Sequence, residues 1–173
     1  RVRKGRAEKP FAVMFADSEE VVKYCAVSSV EKLALESMAS PIVLLKSRGM
    51  KLADAIAPGM ETIGVMLPYS PLHHLLFRRP GLSRNELPSA LVMTSGNRSE
   101  EPICKDNDEA IHRLHDLADA FLLHNREIVL RADDSIVRVI ANRPVVFRRS
   151  RGFVPGAFDL ACQENSKSGH TEE

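Results

Sequence analysis

The chain has 173 residues, 44% hydrophobic and 5% aromatic, with 24 basic against 23 acidic side chains and a formal net charge of +1. That length and apolar content suit one domain with a real core, near-neutrality argues against a general polyanion binder, and no apolar run approaches a membrane span nor does a signal-peptide pattern open the chain. Three widely spaced cysteines, Cys25, Cys104 and Cys162, argue against a disulfide framework or zinc site and fit a reducing, cytoplasmic setting. Two places concentrate cations: Arg1, Arg3, Lys4, Arg6 and Lys9 at the start, and Arg143, Arg148, Arg149 and Arg151 late in the chain. Either can bind an anion locally, or be a solvated terminus or edge strand.

In chain order, the apolar run 11–15 predicts a strand. Asp17 or Ser18 caps a helix with Glu19 and Glu20 in its first turn and an apolar side of Val21, Val22, Tyr24 and Cys25. A second helix is expected over 29–38, with Leu33, Ala34 and Met38 inward, ended by Pro41. Residues 42–45 and 62–67 read as strands, and 46–59 as a loop with a helical turn. Ser70-Pro71 has the form of an N-cap followed by Pro at the first helical position. The polar segment 81–88 precedes a buried strand over 90–93. Asp106 with Glu109 resembles a capping box opening a helix whose buried face is Ala110, Ile111, Leu114 and Leu117. Short β-branched stretches at 118–123, 128–130, 135–140 and 144–147 predict a strand-rich end. The class is a single mixed α/β domain, followed by a disordered tail or linker over 159–173.

No G-x-S-x-G elbow, P-loop, G-x-G-x-x-G or H-E-x-x-H is present. His73 and His74 are adjacent and so point about 100° apart on a helix, one inward and one outward, which is not a shared metal site. His112 and His115 are three apart and can approach each other, but no carboxylate or Cys at a matching interval completes a metal set. Asp133-Asp134-Ser135 fits a turn between strands, with a magnesium site as the alternative. The strongest loop is Thr94-Ser95-Gly96-Asn97 at the end of a strand, where open α/β sheets place ligands. Its hydroxyls, amide and small Gly suit an anionic oxygen, although the same residues make ordinary turns. Lys4 and Arg6 flank Gly5, so an extended segment would put both on one face to clamp a phosphate or carboxylate. Arg148-Arg149-Ser150-Arg151-Gly152 offers further cations.

Lys4-Gly5-Arg6 matches a K-x-R motif and Ser95-Gly96-Asn97 an S-x-N motif. The order of these, with Lys9-Pro10-Phe11-Ala12-Val13-Met14, Gly64-Val65-Met66-Leu67-Pro68-Tyr69-Ser70-Pro71-Leu72-His73-His74, Asp133-Asp134-Ser135-Ile136-Val137-Arg138 and Arg148-Arg149-Ser150-Arg151-Gly152, resembles the YrdC/Sua5 family. The finer resemblance, over residues 3–155, is to the YrdC-like domain of HypF-type hydrogenase maturation carbamoyltransferases. It implies a YrdC-like fold with a basic concave cavity. The domain should run over 1–158 as part of a longer protein, without the Gly-rich strand that precedes K-x-R in the family.

The resemblance further implies that ATP and carbamate, derived from carbamoyl phosphate, become carbamoyl-adenylate and pyrophosphate. A downstream domain then passes the carbamoyl group to a HypE-like acceptor on the way to [NiFe]-hydrogenase. Lys4 and Arg6 are expected at the phosphates and the carbamate, and Ser95 and Asn97 at the α-phosphate or ribose. Lys9, Thr94, Ser135, Arg149 and Arg151 are further nucleotide contacts, and Mg2+ accompanies ATP. Two alternatives use the same residues: threonylcarbamoyl-adenylate synthesis for tRNA modification, and a non-catalytic double-stranded RNA-binding module. The second has only Phe147 and Phe153 as stacking aromatics near its cations.

Overall fold

The computed structural model describes residues 1–5, 9–49 and 52–157. Arg6, Cys162 and the expected tail over 159–173 lie outside them. Among the described residues seven strands form one mixed sheet: β1 (Ala12–Phe15), β2 (Cys25–Ala26), β3 (Ile42–Ser47), β4 (Thr62–Met66), β5 (Ala90–Met93), β6 (Ile136–Ile140) and β7 (Arg143–Arg148). Four α-helices of the described residues accompany them: α1 (Ser18–Tyr24), α2 (Ser29–Leu35), α3 (Pro71–Phe77) and α4 (Asn107–Leu114). The spatial order is β5-β1-β4-β3-β6-β7, with β2 beside the far end of β3. β1 runs parallel to β4, and β3 parallel to β6; the other pairings are antiparallel.

Strand alternation divides the core. Val13, Phe15, Val43, Leu45, Ile63 and Val65 face α1 and α2, which contribute Val21 and Leu35. Met14 and Met66 face the other way with Ala12, Ile42, Leu91 and Met93, partly covered by Phe77 of α3. Phe15 is fully buried, so truncating it to Ala would cost about 3–5 kcal/mol.

Local signals set most helix starts. Asp17 accepts from the Glu20 N–H at 2.8 Å, and Ser70 from the His73 N–H at 3.3 Å. Ser28 and Glu31 form a reciprocal capping box on α2. At α4, Asp106 occupies the N-cap without a side-chain bond, while Glu109 accepts from the Lys105 N–H at 3.0 Å.

Four expectations are corrected. The second helix stops at Leu35, not 38; Leu35 is its buried residue, and Leu33 and Met38 are exposed. No residue of α4 is fully buried, because the helix covers an edge of the domain rather than its core. β5 is an edge strand with half-exposed positions, hydrogen-bonded on one side to β1. Residues 118–123 and 128–130 form no strand: Leu122, Val129 and Leu130 are among the most exposed apolar side chains, having no neighbouring strand to pair with. The hairpin between β6 and β7 turns on Ala141 and Asn142 at φ 48° and 62°, the paired left-handed residues of a type I′ turn.

Candidate functional site

The two motifs meet. β5 ends at Met93, opposite Ala12 at the start of β1, so the loop that follows reaches the segment preceding β1. There the Lys4 ammonium donates to Thr94 Oγ1 at 2.8 Å, to the Ser95 carbonyl at 2.5 Å and to Asn97 Oδ1 at 3.1 Å. These three acceptors are neutral oxygens, so they orient the ammonium without cancelling its charge. Ser95 Oγ donates to the same Asn97 Oδ1 at 2.7 Å.

The loop is braced from outside. Asn97 Nδ2 donates to the Glu101 carbonyl at 2.7 Å, Ser99 Oγ to the Lys4 carbonyl at 2.8 Å, and the Cys104 N–H to the Gly96 carbonyl at 2.8 Å. Arg98 reaches the Arg113 carbonyl at 3.0 Å and Asp116 at 2.5 Å, and Arg113 bonds Glu101 and Glu109. Sequence reasoning passed over this bracing by Arg98, Ser99, Glu101 and Arg113; only the proximity of Arg98, Ser99 and Glu101 to the motif hinted at it. A cavity of about 730 Å3 opens beside the loop, lined by Lys4, Ser95, Phe11, Val92, Leu114 and Leu117 among others. Gly96 adds openness, since a Cβ there would meet nothing within 4 Å. Arg1 packs over the Phe11 ring at 5.0 Å, and Arg3 pairs with Asp119 at 2.7 Å.

The extended geometry expected around Lys4 is not what forms. Residues 2–5 make a turn closed by Gly5 N–H to the Val2 carbonyl at 2.9 Å, with Gly5 at φ +61°. Arg6 lies outside the described residues, so the paired clamp is represented here by Lys4. Lys9 is exposed.

Ser135, Arg149 and Arg151 belong to a second cluster. Ser135 precedes β6, and β1, β4 and β3 stand between β5 and β6; four steps of about 4.8 Å make about 19 Å across the sheet. Ser135 is fully buried, donating to the Arg151 carbonyl at 2.9 Å and accepting from the Ser150 N–H at 2.7 Å. Arg151 forks onto Asp134 at 2.8 and 2.9 Å and reaches the Ser40 carbonyl at 2.9 Å. Its guanidinium stacks 3.5 Å above the Tyr69 ring, which meets His73 edge-on at 4.5 Å. Arg149 is exposed and bonds the Gly156 carbonyl. Gly152 has φ +85°, and a Cβ there would lie 2.2 Å from the Ala39 carbonyl oxygen, so only Gly closes this loop.

His73 turns inward and His74 outward. Burial pushes the His73 imidazole below its usual range and the Tyr69 hydroxyl above its own. His73 Nδ1 is buried without a hydrogen-bond partner among the described residues. His112 and His115 meet through a His115 Nδ1 contact to the His112 carbonyl at 2.8 Å. Among the described residues no three His, Cys, Asp or Glu side chains gather as a metal site. The Asp133-Asp134 alternative does not fit magnesium, because Asp134 is held by Arg151 and Asp133 lies 3.7 Å from Arg148. No helix among the described residues is long and apolar enough to cross a membrane.

Known proteins resemble this arrangement at two levels. The family of Sua5, YciO and YrdC proteins, described as "Telomere recombination", matches residues 1–150. A carbamoyltransferase HypF of Rhodobacter capsulatus is 50% identical over 160 residues, covering 92% of this chain and 20% of its own length. A probable carbamoyltransferase HypF of Methanocaldococcus jannaschii is 46% identical over 167 residues, covering 95% and 21% respectively. The chain thus spans about a fifth of the length of the curated relatives it matches. The crystal structure of full-length HypF in its phosphate- and nucleotide-bound form superposes with a TM-score of 0.82 at 54% identity, over 90% of this chain and 24% of that one. YciO of E. coli shares the fold alone, with a TM-score of 0.63 at 20% identity over 84% and 68% of the two chains. By its match over residues 1–150 and the sheet it shares with solved members, the chain belongs to the Sua5/YciO/YrdC family, as a domain of the kind found in HypF proteins.

Proposed function

We propose that this domain binds ATP and joins its adenylyl group to carbamate, giving carbamoyl-adenylate and pyrophosphate for [NiFe]-hydrogenase maturation. The observation that carries this reading is the Lys4 ammonium held by Thr94, Ser95 and Asn97 across 90 to 93 positions of sequence. The identity to carbamoyltransferases supports the substrate class, and the nucleotide-bound state of a solved relative supports the ligand.

A carbamate oxygen attacks the α-phosphorus, the bond to the bridging oxygen breaks, and pyrophosphate leaves with the electron pair. Charge spreads over the phosphate oxygens during this step. A cation already oriented there needs no reorganisation, which lowers the barrier. Lys4 takes that role, and Arg6 is assigned to the phosphates with it; Ser95, Thr94 and Asn97 donate or relay hydrogen bonds to the α-phosphate or ribose, and Lys9 adds positive potential. Arg149 and Arg151 are second-rank candidates for the triphosphate, with the buried Ser135 behind them holding the Arg151 loop. Mg2+ would accompany ATP and neutralise phosphate charge; among the described residues no carboxylate cluster gathers to hold it. In the longer protein, the carbamoyl group would pass to a HypE-like acceptor.

Lys4→Ala in the full-length parent should abolish carbamoyl phosphate-dependent ATP–pyrophosphate exchange; unchanged exchange would overturn the assignment. Pyrophosphate release that depends on threonine instead would select threonylcarbamoyl-adenylate chemistry. Binding of double-stranded RNA with a steep salt slope, without ATP binding, would select the RNA-binding alternative.

A further inference from the structure

A second cavity, of about 500 Å3, lies away from the Lys4 loop, between the end of α3, the 78–89 segment and Ala16-Asp17 after β1. Its volume is within the range of sites that enclose a ligand group. Leu75, Phe77, Leu82 and Leu87 give it apolar walls, and three arginines stand with them. Arg84 is already held by Asp17 at 2.7 Å and by Glu20 at 3.6 Å. Arg78 and Arg79 are exposed and have no side-chain hydrogen bond or ion pair among the described residues. Two arginines, Arg78 and Arg79, lining an apolar cavity are complementary to a carboxylate carried next to an apolar group.

The helix leading to this cavity is inverted for a surface element. Phe77 points into the core, yet Leu72, Leu75 and Leu76 on the outer side are 40%, 61% and 43% exposed. Their i, i+3, i+4 spacing makes them one patch. A helix apolar on both sides belongs under a covering surface, and a contiguous exposed leucine patch marks an interaction site.

We propose that α3 and the 78–89 segment form a docking site for a peptide segment of a protein partner in which an acidic residue neighbours a bulky apolar one. The apolar side chain fills the cavity, the carboxylate lies on Arg78 and Arg79, and the rest of the segment covers the leucine patch. A free small anion would leave that patch exposed. Nucleic acid would need a stacking aromatic, and Phe77, the cavity's aromatic, is buried. An anionic membrane would need a longer amphipathic helix with more cations than these seven residues and two arginines supply. The site shares no residue with the Lys4 loop and stands independently of the nucleotide reading.

The test is fluorescence anisotropy of the 173-residue chain with a fluorescein-labelled twelve-residue peptide alternating Glu with Leu and Phe, beside the same peptide with Gln for every Glu. The acidic peptide should bind, and the Gln peptide should bind about tenfold or more weakly. Arg78→Glu/Arg79→Glu should lose about tenfold in affinity, and Leu75→Asp a similar amount. Both variants should keep the parent melting temperature and nucleotide affinity, since the altered side chains are exposed. Equal binding of the two peptides, no binding of the acidic one, or unchanged affinity in the arginine variant would each overturn the proposal. So would binding to RNA or to anionic vesicles that is tighter than to the peptide and lost in the same variant.

Discussion

Asn97→Asp separates the charge of the Lys4 loop from its shape. The substitution is nearly isosteric, keeps an acceptor for Lys4 and Ser95, and places a carboxylate 3.1 Å from the ammonium. It removes the Nδ2 donor to the Glu101 carbonyl and leaves two oxygens facing across 2.7 Å. That loss costs about 1–2 kcal/mol, and the new charge-assisted bond to Lys4 returns a similar amount, so stability should change by less than about 1.5 kcal/mol. Nucleotide binding should respond differently. A carboxylate about 4 Å from a bound phosphate oxygen costs about 1 kcal/mol in bulk water and about 4 kcal/mol at the effective dielectric of a protein surface. Lys4 and Asn97 are half-buried, which puts the penalty near 2 kcal/mol, or about 30-fold in affinity. Calorimetric titration of ATP into the wild-type and variant chains reads this directly, with Asn97→Ala as the uncharged control. The deficit of Asn97→Asp over Asn97→Ala should shrink as salt rises and screens the added charge. Equal ATP affinity in wild type and Asn97→Asp would refute a phosphate at this loop.

Three further outcomes test the frame around the sites. Gly152→Ala forces a left-handed Ala, costing about 1–2 kcal/mol, and drives its Cβ to 2.2 Å from the Ala39 carbonyl oxygen; thermal melting should show a loss above about 3 kcal/mol. Ser135→Ala strips the partner from the Ser150 N–H and the Arg151 carbonyl at a fully buried position, and should cost about 2–3 kcal/mol in urea unfolding. Burial pushes the Cys25 thiol up to about 11, so it stays protonated at pH 8, and iodoacetamide should label Cys104 before Cys25. Labelling of Cys25 should rise only as pH approaches that value or as the chain unfolds, because the raised value favours the neutral thiol in the fold; equal labelling of Cys25 and Cys104 in the folded chain would contradict this.

The sequence alone determined the features that depend on neighbouring residues. Asp17, with Glu20 three positions on, and Ser70, with Pro71 beside it, start helices through bonds within one turn, so their positions were readable without the fold. The apolar runs that became β1, β3, β4 and β6 were equally readable, because each is long enough in β-branched or apolar residues to fill a pleated face. The same composition at 118–123 and 128–130 failed, since a strand needs a partner and local pattern does not say whether one is present. The motifs K-x-R and S-x-N were legible as residue types and as a family resemblance, but neither spacing nor periodicity brings Lys4 to Asn97. Only the antiparallel register of β5 on β1 does that, turning the loop after Met93 back to the segment before Ala12. The strand order sets Ser135, Arg149 and Arg151 apart, with three strands between β5 and β6. Which side chains share a site was decided by strand order, and strand order comes from long-range pairing that no local pattern encodes.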